Sequence, residues 1–242
     1  MDDVTPALEF VQLVKRYGAT EAIRSLTLKV APGTTFGLVG ANGAGKTTLI
    51  KCLLDFCSID AGTISVFGIA STRTEARSRL AFLPERFVPP YYLTGRDFLM
   101  FMAQMYGHKF QMHECAKMLE TLDLETNVLT RPVRLLSKGM TQKLGLAGCL
   151  LSNRELLVLD EPGSGLDPKA RGLFKDALQS ARAGGRTIFL TSHSLADVDE
   201  TCDQIAVMHQ GSLHYAGTPA ELKQQYDAIS LEQAFLKCIG EK

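Results

Sequence analysis

The chain has 242 residues, 45% of them hydrophobic and 21% charged, enough for one large domain or for one core carrying an insert. Its 26 basic and 26 acidic residues cancel, which removes any global pull toward nucleic acid or an anionic bilayer. No run approaches the roughly 18 apolar residues of a membrane span, residues 1–9 lack the apolar centre of a secretory signal, and six cysteines without a C-x-x-C pair argue for free thiols rather than a zinc site.

Residues 8–13 mix apolar and polar positions, residues 26–30 alternate, and Pro32-Gly33 marks a turn, so the first third reads as β-rich. The apolar run 34–39 predicts a strand entering a glycine-rich loop. After that loop Leu49, Ile50, Leu53 and Leu54 share one helical face. Residues 62–68 predict another short strand between turn glycines. Beyond Pro84 and Pro89-Pro90 the pattern becomes helical. Thr94 and Asp97 predict a capping box, and Phe98, Phe101, Met102 and Met105 then recur at helical spacing as far as Gly107, a stripe better suited to packed core than to a contact surface. Helices are also predicted over 112–122 and 138–151. The last third alternates: strand 156–159, helix 170–181, strand 187–191, short helix 196–202, and strands 205–208 and 213–215 around a turn. Such alternation implies α/β architecture, a parallel sheet with helices on its faces. The expected division is an α/β core of residues 1–85 and 152–242, interrupted by a helical insert at 86–151.

Gly40-Ala41-Asn42-Gly43-Ala44-Gly45-Lys46-Thr47, followed by Thr48, fits G-x-x-x-x-G-K-[ST] between a predicted strand and a predicted helix. Glycines there let backbone N–H groups wrap phosphate oxygens without intervening side chains. The helix N-terminus adds its dipole, Lys46 a point charge, and Thr47 a hydroxyl suited to Mg²⁺. The loop by itself does not distinguish ATP from GTP.

Leu156-Leu157-Val158-Leu159-Asp160-Glu161 is an apolar run, expected at the sheet centre, that ends in two acids. Paired carboxylates at such an end need a task. With a phosphate loop present, Asp160 suits Mg²⁺ and Glu161, pointing the other way, suits polarisation of an attacking water.

Further stretches fall in register with these two motifs. Tyr17 lies in Lys15-Arg16-Tyr17-Gly18, and Glu85 closes Ala81-Phe82-Leu83-Pro84-Glu85. Leu136-Ser137-Lys138-Gly139-Met140 precedes the second carboxylate run, Gly163-Ser164-Gly165-Leu166-Asp167-Pro168 follows it, and His193 comes just after strand 187–191. Taken in this order, the set resembles the ATP-binding cassette (ABC) family over nearly the whole chain.

The resemblance implies a phosphate-loop NTPase core with a parallel sheet, an N-terminal antiparallel β subdomain and an inserted helical subdomain. It implies ATP and Mg²⁺ as cofactors, with Tyr17 stacked on adenine and His193 reading the γ-phosphate. Ser137, Lys138 and Gly139 would occupy the family's signature, usually Leu-Ser-Gly-Gly-Gln, and touch the nucleotide of the opposite subunit; Lys138 and Met140 depart from it. Ser164, Gly165, Leu166 and Asp167 would form the D-loop. Glu85 stands where the family has Gln, keeping an oxygen for the metal while adding a negative charge.

The implied assembly is a homo- or heterodimer of cassettes on a separate transmembrane permease, peripheral on the cytoplasmic face. The Glu85 and Ser-Lys-Gly-Met variants look most similar to exporter-type cassettes. The alternative is a soluble cassette driving cofactor or complex assembly. No nucleic acid is expected, because the chain has one cassette, no heptad run and no net positive charge. A guanine-reading Asn-Lys-x-Asp is absent from the sequence.

Overall fold

The computed structural model describes residues 4–240; residues 1–3, part of the stretch read for a leader, lie outside the described residues. The chain opens with β1 (Leu8–Tyr17), β2 (Thr20–Val30) and β3 (Thr35–Val39), then α1 (Lys46–Leu53), β4 (Ala61–Val66), β5 (Ile69–Ala70), the single turn α2 (Thr74–Arg77) and β6 (Leu80–Leu83). Three longer helices follow: α3 (Gly95–Met105), α4 (Met112–Thr121) and α5 (Lys138–Leu151). Next come β7 (Leu156–Asp160), α6 (Pro168–Ala183), β8 (Thr187–Ser192), α7 (Leu195–Thr201), β9 (Gln204–His209), β10 (Ser212–Gly217), α8 (Pro219–Gln225) and α9 (Leu231–Ile239).

Among the described residues the strands form two sheets. One is antiparallel in the order β2-β1-β4-β5. The other runs β10-β9-β3-β8-β7-β6 and is parallel except for the β9–β10 hairpin. β3 and β7 are buried at every position. Strands covered on both faces read as unbroken apolar runs. The sheet centre belongs to β3 and β8, and β7 is second from the edge, contrary to the sequence expectation. Its burial comes from cover on both faces, not from a central position.

The period of two divides these strands between two cores. Leu156, Val158, Phe189, Ala206 and Met208 pack with Leu49, Ile50 and Leu53 of α1 and with Leu8, Phe10 and Leu26 of the antiparallel sheet. Leu157, Leu159, Ile188, Leu190, Ile205 and Val207 face the opposite way, into a core shared with α3, α4, α5, α6, α7 and α9. α1 is therefore clamped between the sheets, which fixes the loop before it.

α3 begins at the predicted capping box: Thr94 accepts from the Asp97 N–H and Asp97 accepts from the Thr94 N–H. Its stripe divides. Phe98 is buried and Met102 half-buried, but Phe101 and Met105 are exposed, contrary to the packed core expected of them, because Leu99 and Ala103 take the inward face instead. Among the described residues no helix is long and apolar enough to cross a membrane.

Candidate active site

Residues 40–48 leave β3 and enter α1 over Met208 of β9. A Cβ on Gly40 would stand 2.3 Å from the Met208 carbonyl oxygen, and one on Gly45 would stand 2.6 Å from both the Ala22 carbonyl oxygen and the Met208 side chain. Gly45 also caps α1 at φ 108°, a left-handed conformation that glycine tolerates best. The two glycines thus hold the loop tight against the sheet at the N-terminus of α1, a place that suits a phosphate chain.

Lys46 is buried at 8% exposure, and its Nζ donates to the carbonyl oxygens of Gly40 (2.5 Å) and Ala41 (3.4 Å). Among the described residues its ammonium has no carboxylate within salt-bridge distance. A buried cation held only by carbonyl dipoles favours an anion beside it. The loop lines a cavity of about 410 Å³ together with Thr47, Glu85, Asp160, Glu161 and His193. The strand ends and loops thus bring together every predicted phosphate, metal and catalytic residue except Gly40, which lies beneath.

Asp160 ends β7 and is buried. Burial, above all, pushes its carboxyl above the usual carboxylate range; the nearby Glu161 and Glu85 charges add to this, while the Thr191 bond and Lys46 oppose it. Three carboxylates around one lysine make a site short of positive charge. The oxygens of Asp160, Glu85 and Thr47 are the hard donors that Mg²⁺ prefers. Among the described residues no three acidic, His or Cys groups form a metal cage by themselves. Mg²⁺ keeps waters and phosphate oxygens and takes only one or two protein carboxylates.

Glu161 leaves the strand with φ 49°, and its Oε2 accepts from the His193 backbone N–H (3.2 Å) and meets His193 Nδ1 at 2.6 Å. A carboxylate only accepts, so Nδ1 carries a hydrogen toward Glu161. The Glu161 side chain is 12% exposed and the His193 ring 66% exposed, so the pair runs from the cavity wall to its open rim.

One positioning residue escaped the sequence reading. Thr191 Oγ1 donates to Asp160 Oδ1 (2.5 Å) and accepts from the Glu161 N–H (2.9 Å), so one buried hydroxyl orients both acids. The sequence shows only a hydroxyl in an apolar strand; the β7–β8 pairing that sets Thr191 opposite Asp160 comes from the structure. Thr191→Val should cost about 1–3 kcal/mol in denaturant unfolding, because a buried acid and a backbone N–H lose their partner. It should also lower turnover, and Thr191→Ser should restore most of both.

The remaining predicted residues lie outside this cavity. Tyr17 ends β1 half-exposed, its ring 5.1 Å from Lys15 Nζ and its hydroxyl donating to Cys57 Sγ at 3.7 Å. Ser137 caps α5, its hydroxyl accepting from the Met140 N–H. The Lys138 stem lies over Gly165, and Gly139 approaches the Gly165 carbonyl, so the signature and D-loop stretches of one chain pack together. Asp167 caps α6 by accepting from the Ala170 N–H, with Pro168 at the first helical position and Leu166 buried just before it; Ser164 donates its N–H to the Glu161 carbonyl. A second cavity, about 630 Å³, is lined by Glu85, Phe87, Val88, Tyr91, Leu136 and Lys138 among others, so Glu85 borders both.

Comparison with known proteins agrees with this geometry. The family pattern described as ABC transporter matches residues 23–164. The chain is 37% identical over 219 residues to the Nod factor export ATP-binding protein I of Burkholderia orbicola, covering 89% of this chain and 72% of that protein. It is 36% identical over 205 residues to the ABC transporter ATP-binding protein sll0415 of Synechocystis sp., covering 84% of this chain and 58% of that one. Among solved structures, an ATP-binding subunit of an ABC transporter superposes with a TM-score of 0.87 at 29% identity, over 96% of this chain and 99% of that chain. The cbiO1 protein of Clostridium perfringens, part of the transporter complex cbiONQ, shares the fold at 22% identity and TM-score 0.76, over 91% of this chain and 92% of that one. The chain belongs to the ABC transporter family, as an ATP-binding subunit with ATPase activity.

Proposed function

We propose that two such cassettes close head to tail over two ATP molecules, and that hydrolysis drives export through a separate membrane permease. The observation that carries the chemical part is the Glu161–His193 pair, 2.6 Å apart at the rim of the cavity floored by the phosphate loop. Each nucleotide would lie on residues 40–48 of one subunit, with adenine against Tyr17 and the γ-phosphate toward His193. Ser137, Lys138 and Gly139 at the start of α5 in the other subunit would complete the site, with a helix N-terminus and the Lys138 cation facing the phosphate. The D-loop, Ser164 to Asp167, would lie along the same interface.

Hydrolysis needs a water in line with the γ-phosphorus, and catalysis here is positioning plus charge stabilisation. Glu161 accepts the water's hydrogen. His193 holds Glu161 through Nδ1–H, and only as an imidazolium, with Nε2 protonated as well, would it donate to a γ-phosphate oxygen. Lys46 and the loop N–H groups bind the β- and γ-phosphates and meet the charge that builds during cleavage. Mg²⁺, held by Thr47, Asp160 and Glu85, supplies further charge neutralisation when bound. Loss of the γ-phosphate removes the contact that both subunits share, which opens the pair.

Exposed apolar groups support the permease reading. Val88, Tyr91 and Tyr92 stand open beside the second cavity, and Phe101 and Met105 are exposed on α3. Apolar side chains exposed beside a cavity suit a partner site. A cytoplasmic loop of a permease is the occupant that fits, placing the cassette peripherally on the cytoplasmic face. Affinity capture of the tagged full chain from detergent-solubilised membranes should bring down a multi-span protein. Recovery of a soluble scaffold instead would favour the assembly alternative.

A further inference from the structure

Two cysteines at the end of α1 form a site that ATP hydrolysis does not use. Lys51 and Cys52 accept the N–H groups of Phe56 and Asp55, with Asp55 in the left-handed region at φ 60°. This helix-ending turn folds the chain back so that Cys57 lies on Cys52, their sulfurs 3.6 Å apart. Five of the six cysteines are buried, and Cys57 alone is half-buried. Its sulfur also accepts from the Tyr17 hydroxyl, 3.7 Å away.

We propose that Cys52 and Cys57 form a reversible disulfide by exchange with a low-molecular-weight disulfide, and that closing it loosens Tyr17 from the nucleotide. The second half rests on the reading of Tyr17 as the adenine-stacking ring. In the first step the accessible Cys57 thiolate attacks the small disulfide, forming a mixed disulfide and expelling one thiolate, which takes up the proton that Cys57 gave to solvent. Cys52 then gives its proton to solvent and attacks Cys57 Sγ as the thiolate, and the second departing thiolate takes up a proton in turn. The sum is one small disulfide reduced to two thiols and one protein dithiol oxidised to a disulfide.

Burial, then the Cys57 thiol beside it, pushes Cys52 up to about 12, which slows its attack on any disulfide, so contact with Cys57 Sγ at 3.6 Å is what favours the second step. The sulfurs must close from 3.6 Å to about 2.05 Å. Cys52 is packed into the core on α1 at 2% exposure, so Cys57 is the partner that moves, and the Tyr17 hydroxyl loses its contact.

The test uses the purified full chain, oxidised glutathione as the oxidant, peptide mapping, and titration with a fluorescent ATP analogue. A Cys52–Cys57 cross-link is expected, with nucleotide affinity about fivefold weaker, the lower end of what one aromatic–base stack contributes. Dithiothreitol should reverse both. Cys57→Ser, which removes the accessible thiol but keeps an acceptor for the Tyr17 hydroxyl, should bind nucleotide like the reduced wild type and ignore the oxidant, whereas Cys52→Ala should stop at the mixed disulfide on Cys57. A lasting mixed disulfide at Cys57 with Cys52 still free would overturn the disulfide. A cross-link with unchanged affinity would overturn its effect on Tyr17. Reduced Tyr17→Ala separates the two readings: if it binds as tightly as wild type, the stacking role fails while the disulfide stands.

Discussion

Glu161→Gln should bind ATP and pair with a second cassette, yet turn over roughly 10²- to 10⁴-fold more slowly, the range that a positioned general base supplies. Glutamine keeps the size and the acceptor oxygen, so the His193 contacts at 2.6 and 3.2 Å can persist through that oxygen. What it loses is the capacity to receive a proton from water. The geometry around it should survive, because the Glu161 N–H is anchored independently on Thr191. Phosphate release under saturating ATP, with size-exclusion chromatography of the ATP-loaded variant, provides the measurement. Turnover near wild type would remove Glu161 from the chemistry, and a variant that stays monomeric with ATP bound would count against the paired-cassette arrangement.

Lys46→Ala should weaken ATP binding by roughly 10- to 100-fold, from the 1.5–3 kcal/mol typical of a hydrogen bond to a charged group. The side chain is 8% exposed, so little solvent screens its charge from a phosphate. Alanine is the best helix former and Lys46 is the first residue of α1, so the helix itself should be retained. Titration with a fluorescent nucleotide reads the affinity, and circular dichroism checks the fold. Unchanged affinity in a folded variant would mean that residues 40–48 do not carry the phosphates.

Which residues gather at one cavity was more legible in the sequence than the boundaries of the elements. Lys46, Asp160, Glu161 and His193 stand out by residue type and order, and strand–loop–helix punctuation is enough to bring them together. The antiparallel sheet was harder to read. β1 and β2 run well beyond the expected segments, paired from Leu8 opposite Val30 to Tyr17 opposite Thr20, through polar positions such as Lys15, Arg16 and Glu21. Register shifts between Phe10 and Arg16 break the alternation that would have revealed them. β6 is four residues, too short to show a period. α6 starts two residues before its expected onset because Asp167 caps it and Pro168 opens it. α8 and α9 went unread, although Thr218 and Glu221 form a capping box and Leu231, Ala234 and Cys238 line one face. Thr191 could not be ranked without the strand pairing that sets it opposite Asp160.

Glu85 is a wall common to two chambers, one holding the phosphate loop and the other opening toward the exposed aromatic patch. Equilibrium linkage then demands reciprocity. If a guest in the outer chamber tightens ATP binding by some factor through this carboxylate, ATP must tighten the guest by the same factor. A neutral amide at this position would transmit less of that electrostatic work, so the acidic residue makes the two occupancies answer to each other through charge as well as shape.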